Sequence, residues 1–214
     1  MSLSIAKLGG YITNFYHKFD LPDGLDIKGD LAVDTEAMGL NNYRDRLCVI
    51  QLSNGDGDAH IVHFPELKFT CPNLKKVLVD DNRVKLFHFG RFDIAIIMHY
   101  LQIELKNVYC TKIASRLTRT YTDSHGLKDL CEELLKIKLN KQQQSSDWGT
   151  NQLSQEQLAY AAGDVLYLHG LRDKLDIMLK REGRMDMAKK CFEFLPTRAK
   201  LDLMGWPDFD IFQH

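Results

Sequence analysis

Tyr160 and Asp164 stand four residues apart in an apolar stretch that reads as helix, so a phenol and a carboxylate share one face, one turn from each other. Asp34 and Glu36, separated by one residue in a stretch that reads as strand, point to the same side of a sheet. Asp93 follows an apolar strand at the start of a further helix. An acid within an apolar helix needs a partner: a metal ion, an arginine or a helix terminus. Upstream the chain offers Asp164 more carboxylates rather than a matching base. Four carboxylates from a strand, a strand-to-helix junction and a helix can converge only around cations, and hard oxygen donors with no His or Cys set among them point to magnesium or manganese rather than zinc. Two such ions about 4 Å apart suit in-line attack of water on a phosphodiester, with Tyr160 orienting that water or helping to take its proton. Each residue also has a plain structural reading. Asp34 and Glu36 could be solvated at a strand end, Asp93 could be a first-turn acid favoured by the helix dipole, and Tyr160 could be a core tyrosine.

The elements that must position these groups follow from periodicity. Ser154 with Gln157 has the form of a capping box, and Leu158, Ala162, Val165, Leu168, Leu171 and Leu175 recur at helical spacing, which predicts one long helix from 158 to 175. Residues 1 to 29 carry a Gly-Gly pair, the aromatics Tyr11, Phe15, Tyr16 and Phe19, and a turn around Pro22, and are expected to form short irregular elements. Strands are expected at 30–36, 47–53 and 59–64, the last two joined by the hairpin chemistry of Asn54-Gly-Asp-Gly57, so the three make an antiparallel meander. Helices at 72–79, 92–101, 111–117 and 127–135 then alternate with strands at 84–88 and 108–109, and a polar loop runs from Gln142 to Trp148. The fold class is α/β, a mixed sheet of antiparallel meander then parallel strands, flanked by helices.

The 214 residues suit a single domain, 1–214, whose tail 184–214 holds a short helix at 188–194 and then Trp206, Pro207, Phe209 and Phe212. Those aromatics either pack back on the chain or dock on a neighbouring subunit. A formal net charge of -1 and a pI near 6.7 disfavour a grip on many phosphates of a long duplex, and favour a small or locally held substrate. Five cysteines, odd in number and with no C-x-x-C pair, argue against a disulfide framework and a zinc knuckle and for a reducing compartment. No apolar run reaches the roughly 18 residues that span a bilayer, and no secretory signal opens the chain, so the expectation is a cytoplasmic protein without a membrane partner.

The order Asp34-Thr-Glu36, then His88 with Asp93, then Tyr160-Ala-Ala-Gly-Asp164 resembles the tyrosine branch of the DEDD 3′-5′ exonucleases, specifically ribonuclease D, over about residues 28 to 180. His125-Gly-Leu-Lys-Asp-Leu130 and Ser146-Asp-Trp148 are similar to further ribonuclease D stretches, although Asn151 and Gln152 stand where many relatives have an Arg-Pro pair. The resemblance implies a ribonuclease H-like fold. It also implies a first metal held by Asp34, Glu36 and Asp164, and a second bridged by Asp34 and supported by Asp93 through water. The short form with an aromatic tail is similar to the nano-RNase C family, which implies action on diribonucleotides and assembly into homo-oligomers up to octameric rings. Ribonuclease D continues into helical RNA-binding domains where this chain stops, which favours short substrates; longer RNA or DNA is the alternative, and a catalytically silent binding module the last. Asp34-Thr-Glu-Ala-Met-Gly-Leu40 is similar to the oligoribonuclease motif, which makes Leu40 a wedge between two bases, against the alternative of a core leucine. Thr35, His88, Arg91 and Lys112 lie near the motifs as further candidate substrate contacts.

Overall fold

The computed structural model describes residues 2–7, 10–139 and 146–213. The expected meander forms as β3 (Leu31–Ala37), β4 (Leu47–Ser53) and β5 (Ala59–His63), each antiparallel to the next, preceded in the chain by β1 (Ser2–Lys7) and β2 (Gly10–Lys18). Then come α1 (Pro72–Leu78), β6 (Lys85–Phe87), α2 (Arg91–Leu101), β7 (Val108–Cys110), α3 (Thr111–Thr118) and α4 (Leu127–Leu130), which widens into a π turn at Cys131–Leu135. Last are α5 (Gln155–Leu166), α6 (Leu168–Arg181) and α7 (Met185–Leu203). One seven-stranded sheet runs in the order β1-β2-β5-β4-β3-β6-β7, with β6 and β7 parallel to β3. The fold class is therefore the mixed α/β sheet that the alternation of elements predicts.

Four expectations are corrected. Residues 2–7 and 10–18 are not irregular: β1 and β2 form a hairpin, and β2 runs parallel to β5, whereas 19–29 holds turns and no regular element, as expected. β2 buries Asn14 and sets the Tyr16 hydroxyl 2.7 Å from His63 Nδ1, but its apolar residues come in pairs, Tyr11-Ile12 and Phe15-Tyr16, so no period-2 signal marks it as a strand. The helix expected from 158 to 175 is two helices that meet at Tyr167 (φ -106, ψ -4). The apolar period continues through the break because both halves bury the same stripe: α5 lies on β3, β4 and β5, and α6 packs on α3. The helix at 127–135 loses α geometry at Cys131 and ends on Lys136 in the left-handed region (φ 60). The tail helix is the nineteen-residue α7, which carries Pro196 inside it and buries Ala188, Phe192, Leu195 and Ala199 against α2 and β7. That tertiary packing outweighs the lost hydrogen bond that makes proline a helix breaker.

Beyond α7 the tail packs back on the chain in part. Arg91 and Arg198 hold the Pro207 carbonyl, and the Phe212 ring lies 5.9 Å from that of Phe194, yet Trp206, Phe209 and Phe212 remain 42%, 56% and 67% exposed. The polar run at 142–145 lies outside the described residues. Among those described, no helix is long and apolar enough to cross a membrane.

Candidate active site

β3 presents Asp34 and Glu36 on the sheet face that α5 covers, in register opposite Gln51 and Val49 of β4. Directly after Glu36 the register slips, Ala37 pairing with Leu47, so Cys48 is the extra residue of a bulge that bends β4 beside the site. From above, α5 brings Asp164. Its start is fixed by the capping box, Ser154 Oγ accepting from Gln157 N (3.2 Å) and Gln157 Oε1 accepting from Ser154 N (2.9 Å). Ligand oxygens of Asp34, Glu36 and Asp164 all lie within 4.8 Å of one another. The fourth acid, Asp93 in the first turn of α2, is buried beside this trio and accepts the Thr35 hydroxyl at 2.6 Å. Tyr160, one turn before Asp164, donates its hydroxyl to the Asp164 carboxylate. Its ring lies 6.1 Å from that of buried Trp148.

The electrostatics of this cluster are unfavourable without a cation. Burial, then Asp93, Asp164 and Glu36, push the Asp34 carboxyl well above its ordinary range. Burial, then Asp164 and Asp93, push Glu36 up to about 9. Asp93 is pushed up to about 7 by burial, against the Thr35 hydroxyl that favours its charge. No lysine or arginine pairs with Asp34, Glu36 or Asp93 among the described residues. Three oxygen donors in mutual reach, repelling one another, fit a hard divalent ion.

A stability test follows from these shifts. In the metal-free fold Glu36 and Asp93 keep protons that the unfolded chain releases above about pH 4, so the folded state binds more protons and stability falls as pH rises toward about 7 and about 9. The melting temperature in EDTA is therefore expected to drop between about pH 5 and about pH 8, and Mg2+ should restore it at the upper pH, because binding requires the charged carboxylates. A melting temperature in EDTA that climbs over this interval would contradict that account.

The other candidates are placed less centrally. Leu40 is 89% exposed on the loop between β3 and β4, which removes the core alternative. That loop is held by hydrogen bonds: Asp45 accepts from Asn41 N (2.9 Å) and Arg44 Nε (2.6 Å), and a Cβ on Gly39 would sit 2.1 Å from an Asp45 oxygen, so a larger residue there would displace the Asp45 carboxylate. Arg46 ties the loop to the segment before α5 through the Gly149 carbonyl (3.1 Å). Thr35, a candidate substrate contact, lies between the two acids of β3 and donates its hydroxyl to Asp93. Arg91 is likewise not directed at the acids: its guanidinium grips Asp202 of α7 at 2.6 and 2.7 Å. His88 Nδ1 lies 2.9 Å from Thr111 Oγ1, and the Lys112 ammonium sits 3.8 Å from the centre of the Phe89 ring. Gln51, overlooked in the sequence, donates to Asp34 Oδ2 at 2.9 Å; the available signal was an amide in the otherwise apolar run Leu-Cys-Val-Ile-Gln-Leu.

Residues 20–180 match the family model described as 3′-5′ exonuclease. Ribonuclease D of Granulibacter bethesdensis is 33% identical over 156 residues, covering 72% of this chain and 39% of that protein. The chain spans less than half the length of the curated ribonucleases D it matches first. Among solved structures, Brucella melitensis NrnC bound to pGG superposes with a TM-score of 0.91 at 52% identity, covering 94% of this chain and 98% of that one. Brucella melitensis NrnC with bound Mg2+ gives 0.89 at 52% identity over the same shares of the two chains.

Proposed function

The chain belongs to the 3′-5′ exonuclease family, and from that premise we propose that it is a metal-dependent exoribonuclease acting on very short RNA, diribonucleotides above all. The observation that carries this reading is the convergence of Asp34, Glu36 and Asp164 beside the Tyr160 hydroxyl. A relative matched over 94% of this chain and 98% of its own, in a structure with pGG, and another structure of it with Mg2+, support the short substrate and the ion. Asp34, Glu36 and Asp164 would hold one Mg2+ or Mn2+, and Asp34 with Asp93 a second. When bound, such ions make a water more acidic and offset the charge on the leaving oxygen. Water attacks the phosphorus of the 3′-terminal phosphodiester, the bond to O3′ breaks, the O3′ takes a proton, and a nucleoside 5′-monophosphate leaves. Tyr160 orients the attacking water. Leu40 wedges between the two bases from its loop, a role its exposure suits.

The molecule is proposed to work as one exonuclease domain in the cytoplasm, with the exposed aromatics Trp206, Phe209 and Phe212 covered by a second copy in a ring. The test of substrate length is turnover of 5′-phosphorylated RNAs of graded length with Mg2+ or Mn2+. Two-mers are expected to turn over at least about tenfold faster per kcat/KM than long RNAs, and equal turnover would remove the dinucleotide claim. The ribonuclease D matches favour a second reading, broader RNA trimming, which predicts a steep salt dependence on long substrates because many phosphates would be neutralised.

A further inference from the structure

We propose that Gln51 is the positioning residue for Asp34, and that it sets the affinity of the site for divalent ions. The inference rests on the metal reading above. β4 is buried along its whole length and, up to Gln51, wholly apolar. A fully buried amide in such a strand is costly unless its groups are used. One of them is: Gln51 lies in register opposite Asp34, and its Nε2 donates to Asp34 Oδ2 at 2.9 Å. The other is not, since Oε1 is buried and has no hydrogen-bond partner among the described residues. A residue kept for stability would not leave a buried acceptor unmet; an apolar side chain of the same length would fold as well or better. The amide therefore serves Asp34.

The chemistry explains why this side chain is a glutamine. To serve as a ligand Asp34 must present its oxygens in one orientation beside Glu36 and Asp164. A neutral N–H donor fixes one oxygen without cancelling the charge. Lysine or arginine would form an ion pair with the carboxylate and compete with a metal ion. Glutamate would add a further repelling acid, and asparagine would be one methylene short of the 2.9 Å contact. Loss of such an outer hydrogen bond weakens metal affinity by about 10- to 100-fold in metalloproteins generally.

The test compares wild type, Gln51→Met and Gln51→Asn in the full chain, reading Mn2+ affinity from the electron paramagnetic resonance of free ion, and the melting temperature in EDTA. Both variants are expected to bind Mn2+ about 10-fold or more weakly. Gln51→Met should melt at or above the wild-type temperature without metal, and its activity should rise toward wild type as Mn2+ is increased. Wild-type affinity in both variants would overturn the proposal, as would a Gln51→Met protein that is unfolded or markedly less stable in EDTA. Failure of the wild type itself to bind Mn2+ would instead remove the metal reading on which it rests.

Discussion

Asp164→Asn is expected to lower the rate of phosphodiester hydrolysis about 10³-fold or more, the scale reached when a single preorganised electrostatic group is lost. That corresponds to ~4 kcal/mol of transition-state stabilisation. The size of the effect follows from geometry. Asp164 is the only member of the oxygen trio that comes from α5, so without its charge the two acids of β3 face the helix with nothing to close the site from above. The substitution keeps the shape of the side chain and an oxygen for the Tyr160 hydroxyl. It also removes one of the charges that raise the Asp34 and Glu36 carboxyls. The metal-free variant should therefore melt no lower than wild type near neutral pH, and should lose most of the rise in melting temperature that Mn2+ gives the wild type. Single-turnover hydrolysis and melting with and without Mn2+ check both halves. Activity within tenfold of wild type would refute the metal assignment.

Legibility in the sequence tracked how local each signal was. The bounds of β4 and the cap of α5 were readable because apolar runs, turn residues and the Ser154–Gln157 reciprocity act within a few residues. The four acids were readable as a set because carboxylates without a base among them admit few partners. What escaped was settled by distant contacts. The ion pair of Arg91 with Asp202 of α7 joins residues 111 positions apart. The hydrogen bond from Thr35 to the Asp93 carboxylate joins residues 58 positions apart, and no local pattern announces it. The break at Tyr167 left no mark because a bend that keeps both apolar faces buried changes no residue type. Gln51 carried a signal of another kind, a single amide out of place in an apolar strand. A local rule broken in a buried position points to function, because the cost must be met by something other than packing.

Tyr160→Phe is expected to lower kcat about 10²-fold with KM and Mn2+ affinity changed by no more than about threefold. Phenylalanine keeps the ring beside Trp148, so the packing of α5 on the sheet survives. The loss is confined to the hydroxyl. Burial, and then the Asp164, Glu36 and Asp34 carboxylates, raise the phenol well above its ordinary value of 10. In the metal-free fold it therefore keeps its proton, which favours orienting the water over taking its proton. Its own proton goes to Asp164, which leaves the phenol oxygen as an acceptor. A water that donates to that oxygen has its lone pairs turned away from the tyrosine and toward the acids that gather the cations, the orientation that attack on phosphorus requires. The pH–rate profile of the variant should then keep the wild-type shape and be displaced downward. A profile that loses one of its limbs would make Tyr160 a proton acceptor after all, and a wild-type kcat would leave the hydroxyl with no part in the reaction.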